Sequence, residues 1–445
     1  MFKKILTAAI FMLSITAIGS DFKVGIARKA ITPQESPIWM AGYAVRNKPA
    51  TGICYDLWAK ALVVEESEEN RIIIVTMDLI GLNKEISEVV AKRLIEKYRI
   101  NRSQLLLNVS HCHTGPLILP SYTELNFTSP ADLQSVVKYS QKLTDNLVEV
   151  VDLAMSNMEP MILTTGHGLA YFAKNRRDPK LPVKPVDYDV PVLGVSTPSG
   201  ILRAILFGYA CHNTTLPGEY YEINGDYAGY AQIELEKAYP GIIAMFFQGC
   251  GADINPEPRG TVEDAQQNGK SLAEAVQIVL TRQLNPVRPP IRTAFKFVDL
   301  EFPPFNLELY QKEILSKDKY AQRRAKLMLE GFNKSWDMSR VHYPAQAIRF
   351  NSDLAILALA GEVVVDYALI VKKEYSRENL FVAGYSNDVP CYIPTKRILK
   401  EGGYEANSSL MYKGLPGPFA ENVEDKVMGV IHQVMKEVGA KISKK

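Results

Sequence analysis

Five runs of this sequence are apolar almost without interruption: RIIIVTMD (71–78), QLLLNVS (104–110), ILRAILFGYA (201–210), GIIAMFFQG (241–249) and LAILALAGE (354–362). A strand with one wet face alternates apolar and polar residues, so runs of this kind call for sheets covered on both faces. Helical patterns lie between them. EISEVVAKRLIEKY (85–98) is one, and in VEDKVMGVIHQVMKEVGAKI (423–442) Val427, Val430, Ile431, Val434, Met435 and Val438 fall on one face. The alternation predicts an α/β fold, with mixed β-sheets packed in the core and covered by helices. With 445 residues, 47% of them apolar, the chain can bury a large core. The Pro-rich patches at 177–191 and 285–290 read as ordered connections, the second falling where two halves of the fold would part. Residues 306–340 read as a charged helical insertion on the surface.

Charge excludes one class of partner. Lys plus Arg number 51 against 49 Asp plus Glu, so nothing in the balance argues for nucleic acid, and any partner has to be argued from a site. The opening MFKKILTAAIFMLSITAIGS has a basic start at Lys3 and Lys4, an apolar stretch from Ile5 to Ile18, and small residues at Ala17 and Gly19. It reads as a cleaved signal peptide over residues 1–20, hence a secreted or periplasmic protein, because the apolar stretch is too short to span a bilayer. Residues 21–445 then read as one catalytic domain. Five cysteines, at 54, 112, 211, 250 and 391, are too few for a disulfide scaffold and read as small buried residues at crowded strand ends.

In α/β sheets the reactive groups gather just past the carboxyl ends of strands. Here those ends carry HCHTGP (111–116), CHNTT (211–215), CGADINP (250–256) and Glu362, with Tyr385, Tyr392 and Tyr404 after the last strand. Three of the six histidines, His111, His113 and His212, thus share two strand ends, and a carboxylate closes a third. His111 and His113 stand one residue apart, so on a strand both would enter one cleft while Cys112 points away. Two or three histidines with one carboxylate form an ordinary ligand set for catalytic zinc. Any one of them alone is explained as well by a core or surface role. His167, His342 and His432 read as structural or solvated, and Asp78 and Asp226 as structural hydrogen-bonding residues.

Taken in order, these motifs resemble the neutral (alkaline, non-lysosomal) ceramidase family, zinc amidases that hydrolyse N-acylsphingosine. VGIARKAITP (24–33), MAGYA (40–44), TGICYDLWAKALVVE (51–65), HCHTGP, ACHNTT (210–215), NGDYAGYA (224–231), QGCGADINP (248–256), LAGEVVV (359–365) and CYIPT to YEANSS (391–409) follow the family's order across nearly all of 24–420. The resemblance implies that His111, His212, Glu362 and Tyr392 hold one zinc ion (Zn2+) per chain. It makes His113 the proton-handling histidine, Arg176 in KNRRDP the substrate-side arginine, and Tyr404 the tyrosine that helps polarise the scissile carbonyl. The substrate would be a small-molecule or lipid N-acyl compound, with transient contact to a membrane surface. Zinc lowers the pKa of a bound water to about 7, which suits amide hydrolysis at neutral pH.

Two departures from the family pattern shape the expectation. Asn255 stands where the family has a serine, which leaves a hydrogen-bond donor but no hydroxyl nucleophile. The length matches a catalytic domain without the family's C-terminal immunoglobulin-like domain. Two other readings stay open on the sequence: a catalytically silent lipid- or glycan-binding member, and a metal-dependent esterase or phosphoesterase. Metal stoichiometry separates them, with one zinc for the amidase, two for a phosphoesterase and none for the binder.

Overall fold

The apolar runs become the inner strands of two sheets. The computed structural model describes residues 21–119, 127, 129–376 and 379–443, so the export signal read at 1–20 lies outside the described residues. The larger sheet has nine strands. From one edge to the other it runs Ile243–Gln248, Leu202–Tyr209, Asp189–Ser196, Glu159–Leu169, Phe22–Ala30, Trp58–Ser67, Asn70–Met77 and Leu105–Val109, and Asn285–Val287 pairs with Glu159–Leu169. Both edge strands pair parallel to their neighbours, whereas the middle is antiparallel. The smaller sheet runs Ile291–Glu301, Arg340–Phe350, Leu354–Leu359 and Leu380–Ala383.

The two sheets stack face to face. Phe22, Val64, Leu106, Leu206 and Phe247 of the larger share one apolar cluster with Ile348, Phe350, Ile356 and Phe381 of the smaller. Helices Lys84–Tyr98 and Pro130–Met155 cover part of the larger sheet's outer face, and Asp226–Ala238 and Val262–Leu280 cover the rest. Val365–Tyr375 and Val423–Glu437 cover the smaller sheet. The result is a helix–sheet–sheet–helix stack in which both faces of each sheet are dry, as the unbroken apolar runs require.

Where the sequence expectation and the structure differ, the causes are local. The last helix stops at Glu437 rather than continuing to 442, because Gly439 turns the chain with φ +77°. The Pro-rich patch at 285–290 joins the two sheets: Asn285–Val287 pairs with the larger, and the chain enters the smaller at Ile291. The charged insertion forms helices Leu307–Glu313 and Lys319–Asn333, and it leans on loops that matter below, since the Tyr320 hydroxyl donates to the Ala44 carbonyl at 3.0 Å and its ring meets Tyr412.

One side chain ties the two edges of the larger sheet together. Asn108 accepts the backbone N–H of Gln248 at 2.9 Å and donates to the carbonyl of Gly384 at 2.8 Å. The strand ahead of His111 is thereby held beside the strand Ile243–Gln248, which leads to Asn255, and beside the turn after Leu380–Ala383, which leads to Tyr392.

Candidate active site and metal centre

The loops that follow these strand ends meet at one point. The strand Leu105–Val109 ends before the histidine pair, and His111 takes the left-handed conformation with φ 59°. The pair therefore does not reach one cleft by strand alternation, as expected above, but by a turn. Cys112 bridges Asn213, the His113 N–H donates to the Asn213 carbonyl, and the Asn213 amide donates to Ser110. Asn213 thus stitches the loop of His111 and His113 to the loop of His212. A non-glycine residue held at positive φ stores strain, which surrounding contacts must over-determine. Gly42 makes room for the pair: a Cβ there would lie 2.6 Å from Nδ1 of His113.

Glu362 and Tyr392 arrive by a different device. Glu362–Val363 pairs in parallel with Tyr392–Ile393, with Glu362 directly opposite Tyr392. Gly361 precedes the pair at φ +76°, where a Cβ would meet the Cys391 carbonyl at 2.8 Å. A second short ladder sets Ile254–Pro256 against Ala173–Asn175, which brings Asn255 and Arg176 together.

The nitrogen atoms of the histidines are sorted by their hydrogen bonds. Nδ1 of His111 lies 2.6 Å from the carbonyl of Ile80, and Nδ1 of His212 lies 2.7 Å from that of Gly251. Each Nδ1 must carry the proton, so each Nε2 presents a lone pair inward. These face Oε2 of Glu362 at 3.3 and 3.6 Å, and that oxygen, buried, has no hydrogen-bond partner among the described residues. Two lone pairs and a carboxylate oxygen aimed at one another in a dry site form a set that a cation would satisfy. Nε2 of His113 lies 3.1 Å from that of His111, and one ligand nitrogen from each of the three histidines falls within 4.8 Å of the others. The donor set therefore fits a metal ion, and it is the single group of this kind among the described residues.

Charge follows from burial and neighbours. Burial, then Arg176 and His111, pull the His212 imidazole down to about 3, and burial with His111 and His212 holds His113 well below its usual range, so both are neutral at pH 7. For Glu362 burial alone would raise the pKa, but His111, His212 and Lys413 hold the carboxyl well below the usual range, with Lys413 Nζ 3.9 Å from Oε1. Burial and the nearby Glu362 raise the Tyr392 phenol, with Arg176 opposing them, so the metal-free protein keeps that proton.

Arg176 forms the outer wall. Its Nε donates to Glu405 at 3.0 Å, Nη2 to the Tyr392 hydroxyl at 3.1 Å and Nη1 to Oδ1 of Asn255 at 3.4 Å. The Tyr392 hydroxyl is also 3.2 Å from Nε2 of His212. The Tyr404 ring packs against Tyr392 at 5.2 Å, and Tyr404 keeps 42% of its surface exposed. All eight site residues expected from the sequence thus line one continuous site. Two cavities, of about 480 and 530 Å³, meet there and share Gly42, His113, Tyr392 and Tyr404 in their walls.

Other residues serve the site without having been singled out in the sequence. Glu405 holds both Arg176 and Arg177, and its position directly after Tyr404 was the available signal. Asn213 sits inside the CHNTT motif. Tyr385, which the sequence marks among the residues after the last strand, lays its ring 4.4 Å from that of His111, with its hydroxyl unpartnered among the described residues. Asp78 and Asp226 instead accept backbone N–H groups, of Trp58 and of Leu216 and Tyr227, and the remaining histidines pair with carboxylates elsewhere. All five cysteines are free thiols, and Cys54 alone is exposed.

Residues 22–271 match the family model described as neutral/alkaline non-lysosomal ceramidase, N-terminal. Among curated proteins, the neutral ceramidase of Pseudomonas aeruginosa is 24% identical over 273 residues, covering 57% of this chain and 40% of that protein. Neutral ceramidase A of Dictyostelium discoideum is 25% identical over 264 residues, covering 54% of this chain and 37% of the relative. The match thus spans well under half the length of these relatives. Among solved structures, the Pseudomonas aeruginosa neutral ceramidase superposes with a TM-score of 0.72 at 18% identity, covering 96% of this chain and 77% of that one. A ceramidase complexed with C2 superposes with a TM-score of 0.74 at 16% identity and the same coverage. The likeness extends across both sheets.

Proposed function

The chain belongs to the neutral/alkaline, non-lysosomal ceramidase family, and from that premise and the site geometry we propose that it is a zinc-dependent amidohydrolase that cleaves an N-acyl bond. The observation that carries this reading is the convergence of His111 Nε2, His212 Nε2 and the unpartnered Glu362 Oε2 where two cavities meet. His111, His212, Glu362 and Tyr392 would hold one zinc ion, with Tyr392 bound as the deprotonated phenolate. Bound there, zinc supplies a Lewis acid for the amide carbonyl and an acidified water.

The chain's own residues handle the rest. The amide C–N bond breaks as the oxygen of water joins the acyl carbon. His113, neutral and with Nδ1 unpartnered among the described residues, accepts a proton and returns it to the leaving amine. Arg176, kept charged by Tyr392 and Glu405 despite its burial, and the Tyr404 hydroxyl donate to the developing oxyanion. Asn255 offers no nucleophile, so no acyl-enzyme forms through it. The single ligand cluster favours one metal over the paired metals of a phosphoesterase. Ceramide-like lipids are the first substrates to try, as the names of the relatives suggest. Export to the periplasm or medium, transient contact with a membrane surface, and residues 21–445 acting as one catalytic unit are proposed with this reading, the first from the sequence of residues 1–20.

The test is fatty-acid release from a fluorogenic short-chain ceramide by zinc-loaded protein, with a chelated sample alongside and the metal counted. One zinc per chain with chelator-sensitive hydrolysis is the expected result. A folded protein that takes up no zinc would overturn the reading.

A further inference from the structure

The two cavities that meet at the histidines are lined by different chemistry. The first carries apolar side chains, including Ile80, Leu82, Leu117, Ile118, Val389 and Leu415, beside charged ones such as Lys84, Arg102 and Arg340. The second carries three guanidinium groups, Arg176, Arg177 and Arg259, with Thr214 and Asn255.

Two of these three cations are already neutralised in place. Arg176 pairs with Glu405 at 3.0 Å, and Arg177 pairs with Glu401 at 3.1 Å and Glu405 at 2.7 Å. Arg259 is exposed at the cavity wall and makes no ion pair or hydrogen bond among the described residues. Asp178, the one other carboxylate of this lining, accepts the backbone N–H of Lys180 at 2.9 Å and makes no ion pair with Arg259. Asn255 turns its Oδ1 to Arg176 at 3.4 Å and to the Thr214 hydroxyl at 3.5 Å, which leaves its Nδ2 hydrogens unpartnered among the described residues. The second cavity therefore balances three cations with three carboxylates, but Arg259 stands outside the ion pairs that Arg176 and Arg177 make, and with the spare Asn255 amide it offers the kind of donors that bind a carboxylate or similar acid.

We propose, building on the amidohydrolase reading, that the second cavity takes an acidic group on the amine side of the substrate, held by Arg259 and Asn255, while the acyl chain lies in the first cavity. The substrate class is then an N-acyl amino acid or another N-acyl amine ending in an acid. A neutral sphingoid head group offers these donors hydroxyl oxygens but no countercharge for Arg259.

The experiment compares hydrolysis of N-dodecanoylglycine with that of its neutral isostere N-dodecanoylglycinamide, using the full zinc-loaded chain. The expected kcat/KM is at least about tenfold higher for the acid, as for one charge-assisted hydrogen bond, with the difference residing in KM. Arg259→Glu drives the acid-to-amide ratio below one, and Arg259→Lys retains part of it. Equal rates on the two compounds in the wild type, or a ratio unmoved by Arg259→Glu, overturns the proposal. If neither compound nor ceramide is cleaved, the hydrolase reading fails by itself. Calorimetric binding of the same two compounds then decides the subsite: a preference for the acid that Arg259→Glu abolishes supports it, and equal binding overturns it.

Discussion

His167 and His111 both belong to buried clusters of histidine and carboxylate, yet the two clusters are in opposite states. Around His167 the valences are nearly filled: Nδ1 meets Asp189 at 3.0 Å, and Lys372 Nζ sits between Asp187 at 2.6 Å and Asp189 at 2.8 Å. Around His111 they are not. Glu362 Oε2, His113 Nδ1 and the Tyr385 hydroxyl are buried with no partner among the described residues. The first cluster matches its charges internally, leaving only His167 Nε2 without a partner among the described residues, and pins the strand Asp189–Ser196 to the helix Val365–Tyr375. The second waits for something else to complete it. Leftover bonding capacity, more than residue type or burial, separates a structural polar cluster from a working one.

The sharpest way to break this comparison is to remove Lys372. Lys372→Met leaves two buried carboxylates facing each other and should cost about 3–5 kcal/mol of folding stability in urea titrations. A loss under about 1 kcal/mol would mean the closed cluster is not structural. In the open cluster the same kind of cut should act on the metal instead. Glu362→Gln should weaken zinc binding by more than about a hundredfold in chelator competition, with the metal-free fold as stable as before or more so.

Acid distinguishes the two as well. In the native state His212 titrates at about 3, against roughly 6.5 when unfolded. Between those values the unfolded chain binds a proton that the fold does not, so stability rises with pH there and falls on acidification, by up to about 1.4 kcal/mol per pH unit. Asp189 behaves otherwise: the hydrogen bond from His167 and the charge of Lys372 outweigh burial and hold its carboxyl far below the usual range. Its contribution is therefore intact down to roughly pH 4, its unfolded value, and is lost only below that. Urea midpoints of the metal-free protein at pH 7, 6 and 5 should fall steadily, and His212→Gln should flatten the slope; an unchanged slope would remove His212 from the explanation. The smallest effect belongs to a histidine outside both clusters. His342, 64% exposed and paired with Asp299, should change stability by less than about 0.5 kcal/mol when replaced by Asn.

Much of this arrangement was legible in the sequence because the physics there is local. Unbroken apolar runs demanded covered sheets, and the reactive residues at their ends marked the site, since α/β folds gather loops at the carboxyl ends of strands. His111, His113, His212 and Glu362 were legible in that way. Tyr392, Tyr404 and Arg176 took their roles only from the family resemblance, because a tyrosine after a Pro-rich turn carries no periodic signal. What stayed hidden depends on pairing between distant segments. Asn108 reads as an ordinary strand residue until the sheet edges meet, and the left-handed turn at His111 reads as a continuing strand. Arg259, in a Pro- and Gly-rich turn, reads as a solvated charge until its two neighbouring arginines are found already spoken for.

The in-register pairing of Glu362 with Tyr392, opposite a histidine at position 111, has a consequence for how the protein matures. During synthesis the first half of the site leaves the ribosome long before the second half exists, and the bridge between them is one of the longest-range contacts in the chain. An emerging chain can offer zinc at most a pair of histidine loops. On the zinc reading proposed above, metal loading is then a late event that waits for both halves of the site. Zinc uptake during refolding should lag behind the recovery of helix and sheet.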